Sequence, residues 1–158
     1  MIALSSSYAQ RYALIDMEYM LTKIPAYENG NKQIETLSRQ YQAEIDKQAK
    51  EVEAMYKKYQ ADLSSLSAAE KTKRENQIVS KENDIQALRN KYFGQEGELF
   101  KRREAFMKPI QDAIYEAVKE VADARGYQMV IDRASAKSVI FATPDIDISE
   151  QVLDRMRY

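Results

Sequence analysis

Apolar positions in the middle of the chain recur at the period of a coiled-coil seam. They fall at Ile34, Leu37, Tyr41, Ile45, Val52, Met55, Tyr59, Leu63 and Leu66, in steps of three, four or seven residues. A second run, Ile78, Ile85, Leu88, Tyr92, Leu99 and Phe106, keeps the same spacing. Between the runs, Ser67 stands three residues before Glu70. That spacing forms a capping box, in which each side chain satisfies an orphan backbone N–H at a helix start. The pattern predicts two long helices, residues 25–63 and 68–108, folded back on each other with a tip near residues 64–69.

A fold-back near Leu66 and Ser67 sets the register, because residues facing across an antiparallel pair then have numbers summing to about 133. Ile34 faces Leu99, Tyr41 faces Tyr92, Ile45 faces Leu88 and Met55 faces Ile78, so apolar meets apolar four times in one register. Tyr41 and Tyr92 are therefore read as seam residues. Toward the tip the register places Tyr59 against Arg74 and Leu63 against Glu70, leaving both without apolar partners. Pro25 falls level with Lys108, beside Pro109, so the second helix is expected to leave the hairpin there. Arms of about 40 residues would reach roughly 60 Å at the helical rise. Gly30 weakens the first helix by about 1 kcal/mol and allows it to begin only at Asn31. Gly94 and Gly97 in the second helix are either inert poor helix formers or a soft point where the arm bends.

The flanks have a different texture. Residues 12–15 form a short apolar run that predicts a strand, followed by one or two helical turns from Asp16. After Pro109, the positions Ile110, Ala113, Ile114, Ala117, Val118 and Val121 give a richer apolar face, suited to a helix docked on a core and closed by Gly126. Residues 127–131 and 138–142 read as two strands of a hairpin, and Asp147 or Ser149 as the cap of a last short helix. The expected fold class is mostly α with a small β body. In that reading a long antiparallel coiled-coil hairpin, residues 25–108, projects from an oligomerisation body made of residues 10–24 and 109–158. Its core and interface candidates are Leu14, Ile15, Met129, Val130, Ile131, Val139, Ile140 and Phe141. Three short strands leave open edges and a thin core, which self-association would cover.

Composition narrows the function. The 158 residues include no His, no Cys and no Trp, but 11 Tyr. The commonest general base, the thiol nucleophile and the usual soft-metal ligands are missing, so neither an enzyme nor a cofactor protein is expected. Net charge is −1, which argues against a nucleic-acid partner. The charge is unevenly placed. Residues 47–74 hold seven basic and four acidic side chains, whereas the stretches outside residues 25–108 hold eight basic and eleven acidic. A basic tip suits acidic polypeptides or transient contact with anionic lipid headgroups. The candidate contact residues are Met55, Tyr56, Tyr59, Leu63 and Leu66 with Lys57, Lys58, Lys71, Lys73 and Arg74, since apolar surface rimmed by charge marks interaction sites. Asp145 and Asp147 read as surface and cap residues. At the start, Met1-Ile2-Ala3-Leu4 and Ser5-Ser6-Ser7-Tyr8-Ala9 read as the end of a signal peptide cleaved after Ala9.

A strand at residues 12–16, a long helical hairpin, the segment Tyr127-Gln128-Met129-Val130-Ile131-Asp132 and the final stretch 147–156 together resemble the Skp/OmpH-like periplasmic chaperones of Gram-negative bacteria. The resemblance covers about residues 11–157. It implies a homotrimer whose hairpins enclose a cavity, where unfolded outer-membrane proteins are held without ATP or any cofactor, and it implies a periplasmic location. The alternative from the residues themselves is a coiled-coil spacer or adaptor of the cell envelope with a fixed partner.

Overall fold

The computed structural model describes residues 11–157; the signal-peptide reading of residues 1–9 lies outside them. The chain forms strand β1 (Tyr12–Ile15) and helices α1 (Met17–Lys23), α2 (Pro25–Asp62), α3 (Ala68–Phe93) and α4 (Glu98–Arg125). Strand β2 (Met129–Asp132), a 3-10 turn (Pro144–Ile146) and helix α5 (Ser149–Met156) follow. Contacts divide the described residues into two units, 11–29 with 106–157, and 30–105. The protein is mostly helical with a two-stranded sheet.

In the first unit β1 and β2 pair in parallel, Tyr12 opposite Met129 and Ile15 opposite Asp132. On its other side β1 meets the segment before α5, where Leu14 accepts the Ile148 N–H at 2.8 Å. Ala13, Leu14 and Ile15 are all buried, as in a strand covered on both faces. Met20, Ile24, Ile110, Ile114, Ala117, Ile148, Val152 and Leu153 close the core around Ala13 and Ile15. Polar side chains lock the ends of this core. Asp16 caps α1 by accepting the Tyr19 N–H at 2.9 Å. The Ser149 hydroxyl accepts the Asp16 N–H and donates to Asp147. Arg133 pairs with Asp16 and Asp147. Asp132 accepts the N–H groups of Met17 and Ala134. Burial pushes its carboxyl up, but hydrogen bonds from Met17, Ser135 and Ala134 prevail and hold it below the ordinary aspartate range.

Two expectations for this region are corrected. Residues 138–142 form no strand, so β2 has no hairpin partner; its partner is β1, more than a hundred residues earlier in the sequence. Asp147 does stop the chain before α5, yet the helix has no side-chain N-cap: Asp147 accepts the Ser149 N–H in a local turn, and no reciprocal box with Glu150 forms. Pro109 lies inside α4, which continues through it, and the boundary between the two units falls just before it, between residues 105 and 106. The proline lacks a donor for the carbonyl four residues before it, and burial of Ile110 and Ile114 on the same helix offsets that loss. Gly126, at φ 70°, closes α4 in a left-handed conformation while the Tyr127 N–H returns to the Ala122 carbonyl, a Schellman ending.

The second unit is the helical hairpin. The Ser67–Glu70 capping box is present and starts α3. Ile45, Ile85 and Tyr92 form a buried cluster with Tyr41, Ala49, Val52 and Leu88 packed against it. Gly30 is buried within α2 and does not delay its start, which stays at Pro25. The return limb is not one helix over residues 68–108. It breaks after Phe93 and resumes at Glu98. The backbone of this break accommodates glycine best at both positions, because a Cβ on Gly94 would lie 2.3 Å from the Asn90 carbonyl oxygen and one on Gly97 would lie 2.9 Å from the Tyr92 carbonyl oxygen.

Ile114 sits at the centre of the first unit with 1% exposure. Its truncation in Ile114→Ala is expected to cost about 2–5 kcal/mol through lost burial and the cavity left behind. Urea unfolding followed by circular dichroism reads this; a loss below about 1 kcal/mol would mean that the core collapses around the gap.

Candidate functional site

The hairpin seam carries aromatic rings held by carboxylates. Tyr41 and Tyr92, predicted to face each other, stack with ring centroids 3.9 Å apart and planes 3° from parallel. Each hydroxyl reaches across the hairpin: Tyr41 donates to Glu98 at 2.8 Å, and Tyr92 donates to Glu44 at 2.8 Å. The Tyr92 ring is buried while its hydroxyl ends at the rim. The hydrogen bond to Glu44, with smaller contributions from burial and neighbouring carboxylates, pushes its pKa up to about 12. Conversely, the Tyr41 hydroxyl holds the Glu98 carboxyl below its ordinary range, with help from Lys91 and Arg102 against the cost of burial.

Near the tip the same device recurs. The Tyr59 hydroxyl donates to Glu75, and Arg74 pairs with Asp62 at 2.7 Å, so both tie α2 to α3. Lys57 pairs with Glu53 one turn away. Of the ten proposed contact residues, Tyr59, Lys57 and Arg74 are thus engaged within the chain. Met55, Leu66 and Lys71 are half-buried. Tyr56 and Leu63, 50% and 40% exposed, and the lysines Lys58 and Lys73 face solvent. Sequence spacing missed three further exposed apolar side chains of the hairpin: Val79, Phe93 and Phe100. Each directly follows a seam position, Ile78, Tyr92 or Leu99, as Tyr56 follows Met55. One residue turns an α-helix by about 100°, so the follower of a seam residue points off the seam. The rule can be applied from the sequence once the seam is assigned.

In the first unit, the oligomerisation candidates separate by environment. Leu14 and Ile15 are buried by the chain's own core, and Val130 is partly buried against it. Ile131 and Val139 are half-buried. Met129, Ile140 and Phe141 are exposed, the last two at 97% and 83%. A cavity of about 750 Å³ opens between α4 and β2, lined among others by Ile114, Tyr115, Val118, Met129 and Val130. Among the described residues no group of carboxylates could hold a metal ion, and no helix is long and apolar enough to cross a membrane.

The profile of the OmpH-like outer membrane protein family matches residues 11–156. The chain belongs to the OmpH-like family. Two chaperone proteins named Skp are related across nearly the whole length. That of Yersinia enterocolitica is 27% identical over 155 residues, covering 98% of this chain and 91% of its own. That of Photorhabdus luminescens is 25% identical over 154 residues, covering 94% and 87%. A crystal structure of an OmpH-like chain from Caulobacter crescentus CB15 shares the fold, with a TM-score of 0.74 over 95% of this chain and 86% of that one, at 14% identity.

The Tyr92 hydroxyl must keep its proton to donate to Glu44. A pKa raised in the folded state means that this stabilisation is fully present below the ordinary tyrosine pKa near 10 and is lost as pH rises through about 12. Tyr92→Phe keeps the ring and removes the bond. The variant is expected to be somewhat less stable at neutral pH and to lose less than the parent between pH 10 and 12. Thermal melts across that range check it; parallel alkaline limbs would mean that the bond does not form.

Proposed function

We propose that this OmpH-like protein is an ATP-independent holdase of the Gram-negative periplasm, which as a homotrimer keeps unfolded outer-membrane proteins in a cavity bounded by its hairpins. It works by binding and catalyses no reaction. The observation that carries the reading is the set of large apolar side chains left exposed along a long two-helix hairpin, Tyr56, Leu63 and Val79 among them. The relatives named chaperone protein Skp support it. Holding of this kind is multivalent: several apolar and cationic patches touch an extended chain briefly, and the high effective concentration within an enclosure supplies the residence time. Lys58 and Lys73 at the tip suit acidic client segments and transient contact with anionic lipid headgroups.

Self-association follows from Ile140 and Phe141, which the single chain leaves in water. Ile140→Asp removes no contact within the chain, so helix content and the first unit's core are expected to survive while the oligomer dissociates. Native mass spectrometry and circular dichroism together read this. A variant that remains an intact trimer would show that residues 138–142 lie outside the interface.

Shortening the tip by removing residues 54–78 and joining the helices with a short turn tests the holding itself. The first unit's core uses none of these residues, so it should stay folded and oligomeric. The shortened hairpin loses Tyr56 and Leu63 and encloses less volume. Its capacity to keep an unfolded barrel protein soluble is expected to drop roughly tenfold or more, since contacts that act together fail together. Unchanged holding would make the hairpin a spacer, and the adaptor reading would replace this one.

A further inference from the structure

The break in the hairpin's return limb, between α3 and α4, is flanked by two exposed phenylalanines. Phe93 is the last residue of α3 and Phe100 the third of α4, and they are 41% and 45% exposed. Phe93 touches Tyr41 edge-on at 6.5 Å, so it is held in place and still shows much of its ring. On α3, Arg89 lies one turn before Phe93; on α4, Arg103 lies one turn after Phe100. Arg89 follows the seam residue Leu88 just as Phe93 follows Tyr92, so the two share the row next to the seam. Both arginines are exposed, and among the described residues neither has an ion pair or a side-chain hydrogen bond. At the tip, Arg74 and Lys57 are paired within the chain, and the exposed cations there are the lysines Lys58 and Lys73. Residues 89–103 carry five basic and two acidic side chains. One of the two acids, Glu98, is taken by Tyr41 and Lys91.

We propose that this break is a second client-contact station, separate from the tip, at which Phe93 with Arg89 and Phe100 with Arg103 take the acidic, aromatic segments of an extended polypeptide. The chemistry of the four side chains sets the partner. A phenylalanine face that water touches gains from stacking against another aromatic ring. A free guanidinium presents a planar fork that matches a carboxylate in two hydrogen bonds. Alternating ring and cation on each side of the turn therefore suits a chain in which aromatic and acidic residues alternate. The station rests on the holdase reading and adds to it where on the hairpin a client is chosen by composition.

The test uses the intact protein and two labelled unstructured peptides of equal length, one alternating aromatic and acidic residues, the other with lysine at each acidic position. Fluorescence anisotropy gives their affinities for the wild type, Phe100→Ser, the double variant Arg89→Glu/Arg103→Glu, and the tip variant Tyr56→Ser/Leu63→Ser. All substituted side chains are at least two-fifths exposed or fully charged surface groups, and circular dichroism confirms folding. Phe93 is left in place because its contact with Tyr41 belongs to the seam. The wild type is expected to prefer the acidic peptide by about tenfold. The double variant should lose or invert that preference, and Phe100→Ser should weaken both peptides several-fold. The tip variant should leave the preference intact. If the double variant and Phe100→Ser bind as the wild type does, or if the tip variant alone abolishes the preference, the station is refuted and the holdase reading stands. If these variants lose binding only to anionic phospholipid vesicles, the surface is a membrane contact and the proposal falls. If the wild type neither binds the peptides nor suppresses aggregation of an unfolded barrel protein, both readings fall together.

Discussion

The pairing of Tyr12 with Met129 constrains everything between them. Two strands that lie side by side in parallel must be joined by a segment that leaves one end of the pair and returns to the other. In ordinary crossovers a single helix does this. Here more than a hundred residues intervene, so the chain has to double back within that stretch. An antiparallel seam is the arrangement that lets a long helical excursion return to its origin while burying its own apolar stripe. The fold-back is therefore a consequence of strand pairing as much as of heptad periodicity. The capping box at Ser67 marks its turning point.

How legible each part was follows from how local its cause is. The heptad spacing and the cap act within a few residues, so the stacked tyrosines and the start of α3 could be read from the chain alone. The sheet could not, because adjacency in sequence favoured pairing residues 127–131 with 138–142. Yet a signal was there: Ala13, Leu14 and Ile15 are apolar in succession without alternation. Such a run reads as a central, covered strand and not as the edge of an open sheet. β2 and Asp147 flank β1 on its two edges, and side chains of α1, α4 and α5 pack around it. Residues 138–142 have the composition of a strand and no strand partner among the described residues, which is why composition misled.

The candidate surface shows the same division. Spacing identified apolar positions that run out of partners near the tip, Tyr59 and Leu63, from the register alone. It could not reveal that Tyr59 would be engaged through its hydroxyl and not through its ring, since Glu75 is exposed in sequence terms like any other surface acid. Nor did it separate seam residues from those one step beyond the seam. Tyr56, Val79, Phe93 and Phe100 fall in that second set. Their recurrence on three helices is a property of the whole hairpin, visible only once the seam is known.

Seam and surface also divide the chemistry between them. In the seam, tyrosine hydroxyls meet carboxylates across the hairpin three times, at Glu98, Glu44 and Glu75. Each contact places a polar anchor at the edge of an apolar stripe, so the helices keep one register without a wide hydrophobic core. A wider core would need more apolar residues on each helix, and those would spread onto the outer faces as continuous sticky surface. Narrow seams closed by Tyr–Glu bonds instead leave the outer faces charged, with single apolar side chains set apart among them. Isolated apolar contacts are individually weak, and weak contacts are what a protein needs if it is to hold a chain without trapping it. The polar closure of the seam and the sparse apolar surface are thus two outcomes of one allocation of side chains along the helices.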